Sequence, residues 1–89
     1  MKTKNGLVLR PLGKEHILMP EGLEAEGFDA MISMNESAAF LWKTVEGKDF
    51  DPDQLASLLM QEYGISREVA EHDVADMLHG WKEMGIVED

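Results

Sequence analysis

The side chains of this chain with the greatest potential for chemistry are its histidines, serines and carboxylates. His72 and His79 lie at i and i+7 in a segment with helical periodicity, so they share a face. At a rise of ~1.5 Å per residue they are roughly 10 Å apart, too far to bind one metal ion together. His72 and Asp76 offer two ligands, whereas zinc sites use three or four protein ligands. The sequence therefore predicts no metal site.

The hydroxyl groups of Ser33, Ser37, Ser57 and Ser66 are candidate nucleophiles, but none lies in a Gly-x-Ser-x-Gly turn. Ser66 is better placed to cap a helix. The chain has no Cys, and so it has neither a thiol nucleophile nor a disulfide framework. Because a glycine-rich phosphate loop is also missing, we predict no enzyme activity, no catalytic residue and no cofactor.

The net charge of −10 argues against nucleic acid as a partner. Phosphate backbones are bound by cationic surfaces. The last predicted helix carries only Arg67 and Lys82 as cations, against the acids Glu68, Glu71, Asp73, Asp76 and Glu83. Two positive and five negative charges sum to −3, so this helix would be repelled by DNA.

The length of 89 residues, of which 44% are hydrophobic, predicts a single domain over residues 1–89 with a modest core. The longest apolar runs are only a few residues, which is too short to span a membrane or to form a signal peptide. We therefore expect no membrane partner and a cytoplasmic location.

Three strands are predicted in the first part of the chain. Leu7–Arg10 and His16–Met19 have strand composition and flank a turn, and Pro20 ends the second. The third strand, Ala30–Met34, follows a polar loop from Glu21 to Asp29. Alternation places Ala30, Ile32 and Met34 towards the core and turns Met31 and Ser33 away from it.

Three helices are predicted to follow. The first spans Glu36 to Glu46, with Asn35 as its N-cap and Gly47 as its terminator. The second begins at Pro52 after the cap Asp51 and ends at Gly64, and the third runs from Ser66 to Met84. Ile86 and Val87 form a short extension. The residues predicted to face inward are Ala38, Leu41, Trp42, Val45, Leu55, Leu58, Leu59, Tyr63, Ala70, Val74, Met77, Leu78, Trp81 and Met84.

The element order β-β-β-α-α-α predicts an α+β fold in which a three-stranded antiparallel sheet is followed by three helices. The last two helices resemble a helix-turn-helix pair, so the predicted architecture is winged-helix-like. A sheet this small has an open edge that can accept an added strand. Methionine repacks against varied partners, and Met31, turned away from the core, is the best candidate for such a contact.

The order and spacing of these segments resemble the PqqD-like family, first named for pyrroloquinoline quinone (PQQ) biosynthesis and also described as precursor-peptide recognition elements. An apolar strand ends near Pro20, and Met34-Asn35 precedes a helix with small and bulky residues where the family has Leu-Asn. The further matching segments are Glu46-Gly47, the leucine-rich stripe from Leu55 to Tyr63, Asp73-Val74 and Gly85-Ile86-Val87.

The resemblance implies peptide binding without catalysis. Family members hold the leader segment of a ribosomally made precursor and present it to a modifying enzyme, often a radical S-adenosylmethionine (SAM) maturase. The leader adds to the third strand and lies against the third helix. The peptide-binding residues would be Ala30, Met31, Ile32, Ser33 and Met34 at the strand edge and Ala70, Asp73, Val74 and Met77 on the helix.

Two alternatives remain open at this point. One is a winged-helix domain that acts in transcription through protein contacts. The other concerns assembly, since the same strand edge is available to a second copy of the chain, which would give a homodimer.

Overall fold

The strands lie at the start and the very end of the chain, and the helices lie between them. The computed structural model describes residues 1–21 and 31–89, so most of the predicted Glu21–Asp29 loop, and Ala30, lie outside the described residues. The elements are β1 (Lys2–Thr3), β2 (Leu7–Leu12), β3 (Glu15–Pro20), β4 (Ile32–Met34), α1 (Glu36–Val45), α2 (Pro52–Tyr63), α3 (Arg67–Glu83) and β5 (Val87–Glu88).

The three predicted strands form one antiparallel sheet with the order β2-β3-β4. Leu12 pairs with Glu15, so a two-residue turn joins β2 to β3. Gly13 adopts φ +64°, the conformation that a tight hairpin turn needs at its first central position. On the other side of β3, Ile17 pairs with Ser33. The α+β class and the β-β-β-α-α-α order are thus confirmed.

The helix starts follow from local hydrogen bonds that the sequence predicts. Asn35 Oδ1 accepts from the backbone N–H of Ala38 at 2.9 Å. At α2, Asp51 and Gln54 form a reciprocal capping box, and Ser66 caps α3 by accepting from the Val69 N–H at 3.2 Å. Two helices are shorter than predicted: α1 stops at Val45 rather than Glu46, and α3 spans Arg67–Glu83, with Ser66 and Met84 as its caps.

The core lies between the three helices and the inner face of the sheet, around the edge-to-face pair Trp42 and Trp81, whose ring centroids are 5.3 Å apart. Most residues predicted to face inward are buried. Ala39 is buried in place of Ala38, which lies at the flank of the stripe. Tyr63 and Met84 are each 41% exposed, since both lie at helix ends where the core no longer covers them.

A second, two-stranded sheet joins the two ends of the chain and was not predicted. Lys2 pairs with Glu88 and Thr3 with Val87, and the Lys4 N–H donates to the Ile86 carbonyl at 2.8 Å. The predicted extension at Ile86 and Val87 thus runs into β5. No helix within residues 1–21 and 31–89 combines the length and the apolar character needed to cross a membrane.

Candidate functional site

Strand β4 lies at the end of the three-stranded sheet. One of its edges pairs with β3, and no strand among residues 1–21 and 31–89 pairs with the other edge. The strand turns at Asn35 directly into α1. Backbone N–H and C=O groups on an open edge are ready to pair with another extended chain. Among the described residues, β4 is therefore a strand with one unpaired edge.

The side chains along β4 alternate between the core and the surface. Met34 is 4% exposed and belongs to the core, and Ile32 is half-buried against it. Met31, just before the strand, is 65% exposed, and Ser33 is also exposed. The predicted alternation is confirmed for these four residues, whereas Ala30 lies outside the described part of the chain. Of these four residues, only Met31 and Ser33 offer substantial side-chain surface.

A groove begins at the C-terminal end of β4 and follows the side of α3. It consists of two adjoining cavities of about 450 and 410 Å³ that share Asn35, Ser37, Leu59 and Asp73. We call it the α1/α3 groove. Among residues 1–21 and 31–89, it is lined by Asn35, Glu36, Ser37, Ala38, Leu41, Leu59, Tyr63, Ile65, Asp73, Asp76 and Met77.

The four helix residues predicted from the sequence do not lie together on this surface. Asp73 is exposed, Met77 is half-buried, and both line the groove. Ala70 and Val74 are 0% and 1% exposed, so they lie in the core and have almost no surface to offer a ligand. A step of about 100° per residue puts Ala70 and Val74 on the buried stripe of α3 and Asp73 on its flank.

Sequence reasoning missed several groove residues. Asn35 was assigned only a capping role, and Ala38 and Tyr63 were assigned to the core. Asp76 was considered only as a partner of His72. The spacing of Asp73, Asp76 and Met77 at i, i+3 and i+4 was the available signal, because such residues are neighbours on one helix face.

The groove is lined by half-buried apolar side chains and by exposed acids. Ala38, Ile65 and Met77 are half-buried, and Glu36, Asp73 and Asp76 are exposed. Among residues 1–21 and 31–89, the lining contains no Lys or Arg. Tyr63 closes one end and packs edge-on against Phe40, with ring centroids 6.1 Å apart. Partial desolvation raises the pKa of the Tyr63 hydroxyl, and the charges of Glu36 and Glu62 raise it further. The phenol therefore stays a neutral hydrogen-bond donor at physiological pH.

A different cavity, of about 510 Å³, lies on the other flank of α3 next to Met1 and Pro52. Its acids Asp53 and Glu71 both form ion pairs with Arg67, and Lys82 also lines it. Its charges are thus largely balanced, and it lies on the side of α3 away from Asp73 and Asp76.

The histidines of α3 lie on its exposed side. No group of three or more His, Cys, Asp or Glu within residues 1–21 and 31–89 is arranged to hold a metal ion. His72 and His79 instead face Asp76 and Glu83 at i+4, at 3.5 and 3.2 Å, on the exposed side of the helix. These surface pairs contribute little to stability.

Comparison with known proteins fits this arrangement. The sequence model of the family described as Coenzyme PQQ synthesis protein D (PqqD) matches residues 15–87, from the start of β3 into β5. The chain belongs to the PqqD family. A sequence comparison with curated proteins finds no significant match.

Two solved structures share the fold of this PqqD-family chain. One is TbiB1 in complex with the TbiA(beta) leader peptide, with a TM-score of 0.76 and 20% identity over 99% of this chain and 95% of that one. The other is lasso peptide synthetase B1 complexed with the leader peptide, with a TM-score of 0.72 and 20% identity over 99% and 96% of the two chains. At this identity the likeness establishes the fold.

Proposed function

We propose that this PqqD-family chain is a non-catalytic adaptor for a ribosomally made precursor peptide. It binds the leader segment of the precursor as an added strand on β4 and presents the peptide to a modifying enzyme, such as a radical SAM maturase. The observation that carries the proposal is that Asn35, which directly follows the open-edged strand β4, also lines the α1/α3 groove. The two similar structures are both complexes with leader peptides, which supports a peptide as the occupant.

Main-chain hydrogen bonds to β4 supply the general part of the affinity. A strand added to an open edge pairs through its backbone and is therefore bound largely irrespective of its sequence. The edge is short, with three residues from Ile32 to Met34, so only a few such bonds form. The exposed side chains of Met31 and Ser33 then contact alternate residues of the peptide on the outer face.

The α1/α3 groove supplies selectivity. An added strand that continues past Met34 reaches Asn35 and the half-buried groove residues Ala38 and Met77. An apolar side chain buried there contributes about 1.5–3 kcal/mol. Met77, half-buried on the groove wall, has the flexible side chain that adapts to such an anchor. Ala70 and Val74 act indirectly, by holding α3 against the core.

In this proposal, a separate enzyme modifies the bound peptide. The proposed setting is the cytoplasm, where ribosomal precursors are made. A second copy of the chain paired on β4 would compete with the leader. The formal charge of −3 on α3 disfavours direct contact with DNA phosphates, so the alternative role in transcription would act through protein contacts.

Backbone amides test this proposal directly. Peptides that bind the intact chain are first selected from a random phage-displayed library. One selected peptide is then titrated into isotope-labelled protein, and amide shifts and hydrogen exchange are followed. We expect shifts at Met31–Met34 and at Asn35–Ala38 and Asp73–Met77, with slower exchange of outward β4 amides. Shifts confined to the cavity beside Met1 and Pro52 would refute strand addition on β4.

A further inference from the structure

The ion pairs of the protein leave the α1/α3 groove as a patch of uncompensated negative charge. On the other flank of α3, Arg67 Nε lies 2.9 Å from Glu71, and the same guanidinium also pairs with Asp53. Among residues 1–21 and 31–89, the lining of the α1/α3 groove includes no lysine or arginine that could pair with its acids. Glu36 and Asp73 have no ion-pair partner among residues 1–21 and 31–89, and Asp76 faces only His72, which is charged only when protonated.

These acids border half-buried apolar side chains rather than open solvent alone. Asp73 and Asp76 lie on α3 beside Met77, and the opposite wall is Ala38 on α1. A long cationic side chain suits such a place, because its methylene stem can pack on Met77 and Ala38 while its charged head reaches the carboxylates. An acidic side chain at the same position would face three like charges.

We infer that the groove selects a lysine or arginine of the bound peptide, with Asp73 and Asp76 as the specificity-determining residues. The cationic residue lies where the added strand passes the C-terminal end of β4, because Asn35 at that end lines the groove together with both aspartates. This inference rests on the proposed strand addition and adds the chemical class of the peptide.

Matched peptides and matched variants test it. From the phage-selected peptides we expect a consensus with Lys or Arg at one position, and a synthetic peptide is made with that residue and with Gln in its place. Exposed ion pairs predict that Gln weakens binding to the native protein roughly 1.5- to 5-fold. The difference in affinity between the two peptides should shrink when ionic strength rises from about 0.1 M to 1 M, because the Debye length falls from about 10 to 3 Å.

Substitutions on α3 test whether Asp73 and Asp76 cause the preference for Lys over Gln in the peptide. In the double variant D73N/D76N, the Lys and Gln peptides should bind with about equal affinity, in the manner of a double-mutant cycle. Glu83→Gln is the matched control. Like the Asp76→Asn change alone, it removes one negative charge and one i,i+4 histidine pair from α3, but Glu83 does not line the groove. In that variant the preference for Lys should persist.

The outcomes separate this inference from the function on which it rests. The charge selection is wrong if the selected peptides protect β4 amides but have no basic position. It is also wrong if their preference for Lys survives in D73N/D76N. Either result leaves strand addition on β4 intact. If no selected peptide perturbs β4, both proposals fail. All three substituted side chains are exposed, so circular dichroism should show an unchanged fold.

Discussion

The substitution Ala38→Leu is the sharpest test of the α1/α3 groove. Ala38 is half-buried on the wall of the groove, next to the buried Leu41 and facing Met77 across the cavity of about 450 Å³. Its backbone N–H donates to Asn35 at 2.9 Å, and a longer side chain leaves that bond intact. Ala and Leu are both good helix formers, so α1 should tolerate the change.

The expected loss of affinity follows from what the new side chain displaces. Three added carbon atoms occupy space in which an apolar side chain of the peptide would be buried. Exclusion of that side chain removes about 1.5–3 kcal/mol of binding free energy. The dissociation constant of a selected peptide should therefore rise roughly 10- to 150-fold, at 1.4 kcal/mol per factor of ten.

Ala75→Leu is the matched control. Ala75 is an exposed alanine of α3 that lines the cavity beside Met1 and Pro52, on the opposite flank of the helix. The same chemical change there should leave peptide affinity within about twofold of the native value. Affinities are measured by isothermal titration calorimetry, and urea denaturation checks that both variants are folded.

Two results would contradict this reasoning. If Ala38→Leu binds the peptide as tightly as the native chain, the groove is not occupied by the ligand. If Ala75→Leu is the variant that loses affinity, the peptide lies in the cavity on the other flank of α3, and the proposed role of Asp73 and Asp76 is wrong as well.

Two further predictions concern the scaffold that holds the groove. Leu55 is 0% exposed, so Leu55→Ala should lower the free energy of unfolding, measured by urea denaturation, by about 2–5 kcal/mol. Leu58 is half-buried, so Leu58→Ala should lower it by clearly less. Equal losses in the two variants would contradict the packing of α2. Tyr63 is the single tyrosine, and its phenolate absorbance should appear with a midpoint above 10 because desolvation and the charges of Glu36 and Glu62 raise its pKa. The folded protein favours the neutral form of Tyr63. The contribution of this side chain to folding stability is therefore present below pH 10 and is lost as pH rises through the raised pKa. Glu36→Gln should lower the midpoint, and an unperturbed midpoint in the native chain would refute the assigned environment.

Much of the scaffold is encoded in short stretches of sequence. The starts of all three helices were predicted because Asn35, Asp51 and Ser66 cap them through bonds to residues three positions away. The β2–β3 hairpin and the sidedness of β4 were predictable for the same reason, since a turn and a period of two are local properties. The PqqD resemblance, carried by the order of these segments, was confirmed over residues 15–87.

The surface of the candidate site depended on tertiary packing. Periodicity grouped Ala70, Val74 and Met77 in one stripe, but only the packing of α3 on the core shows that the first two are buried and that Met77 reaches the groove. The pairing of β1 with β5 joins opposite ends of the chain, and strands of two residues carry no detectable pattern.

The charge of the groove was likewise decided by the fold. The sequence alone determined that α3 is acidic, because composition is independent of conformation. Only the tertiary structure places Arg67 beside Asp53 and Glu71 and leaves Asp73 without a cation among the described residues. The physical reason is that neutralisation of a charge requires a partner within a few ångströms, and residues far apart in sequence come that close only in the folded chain.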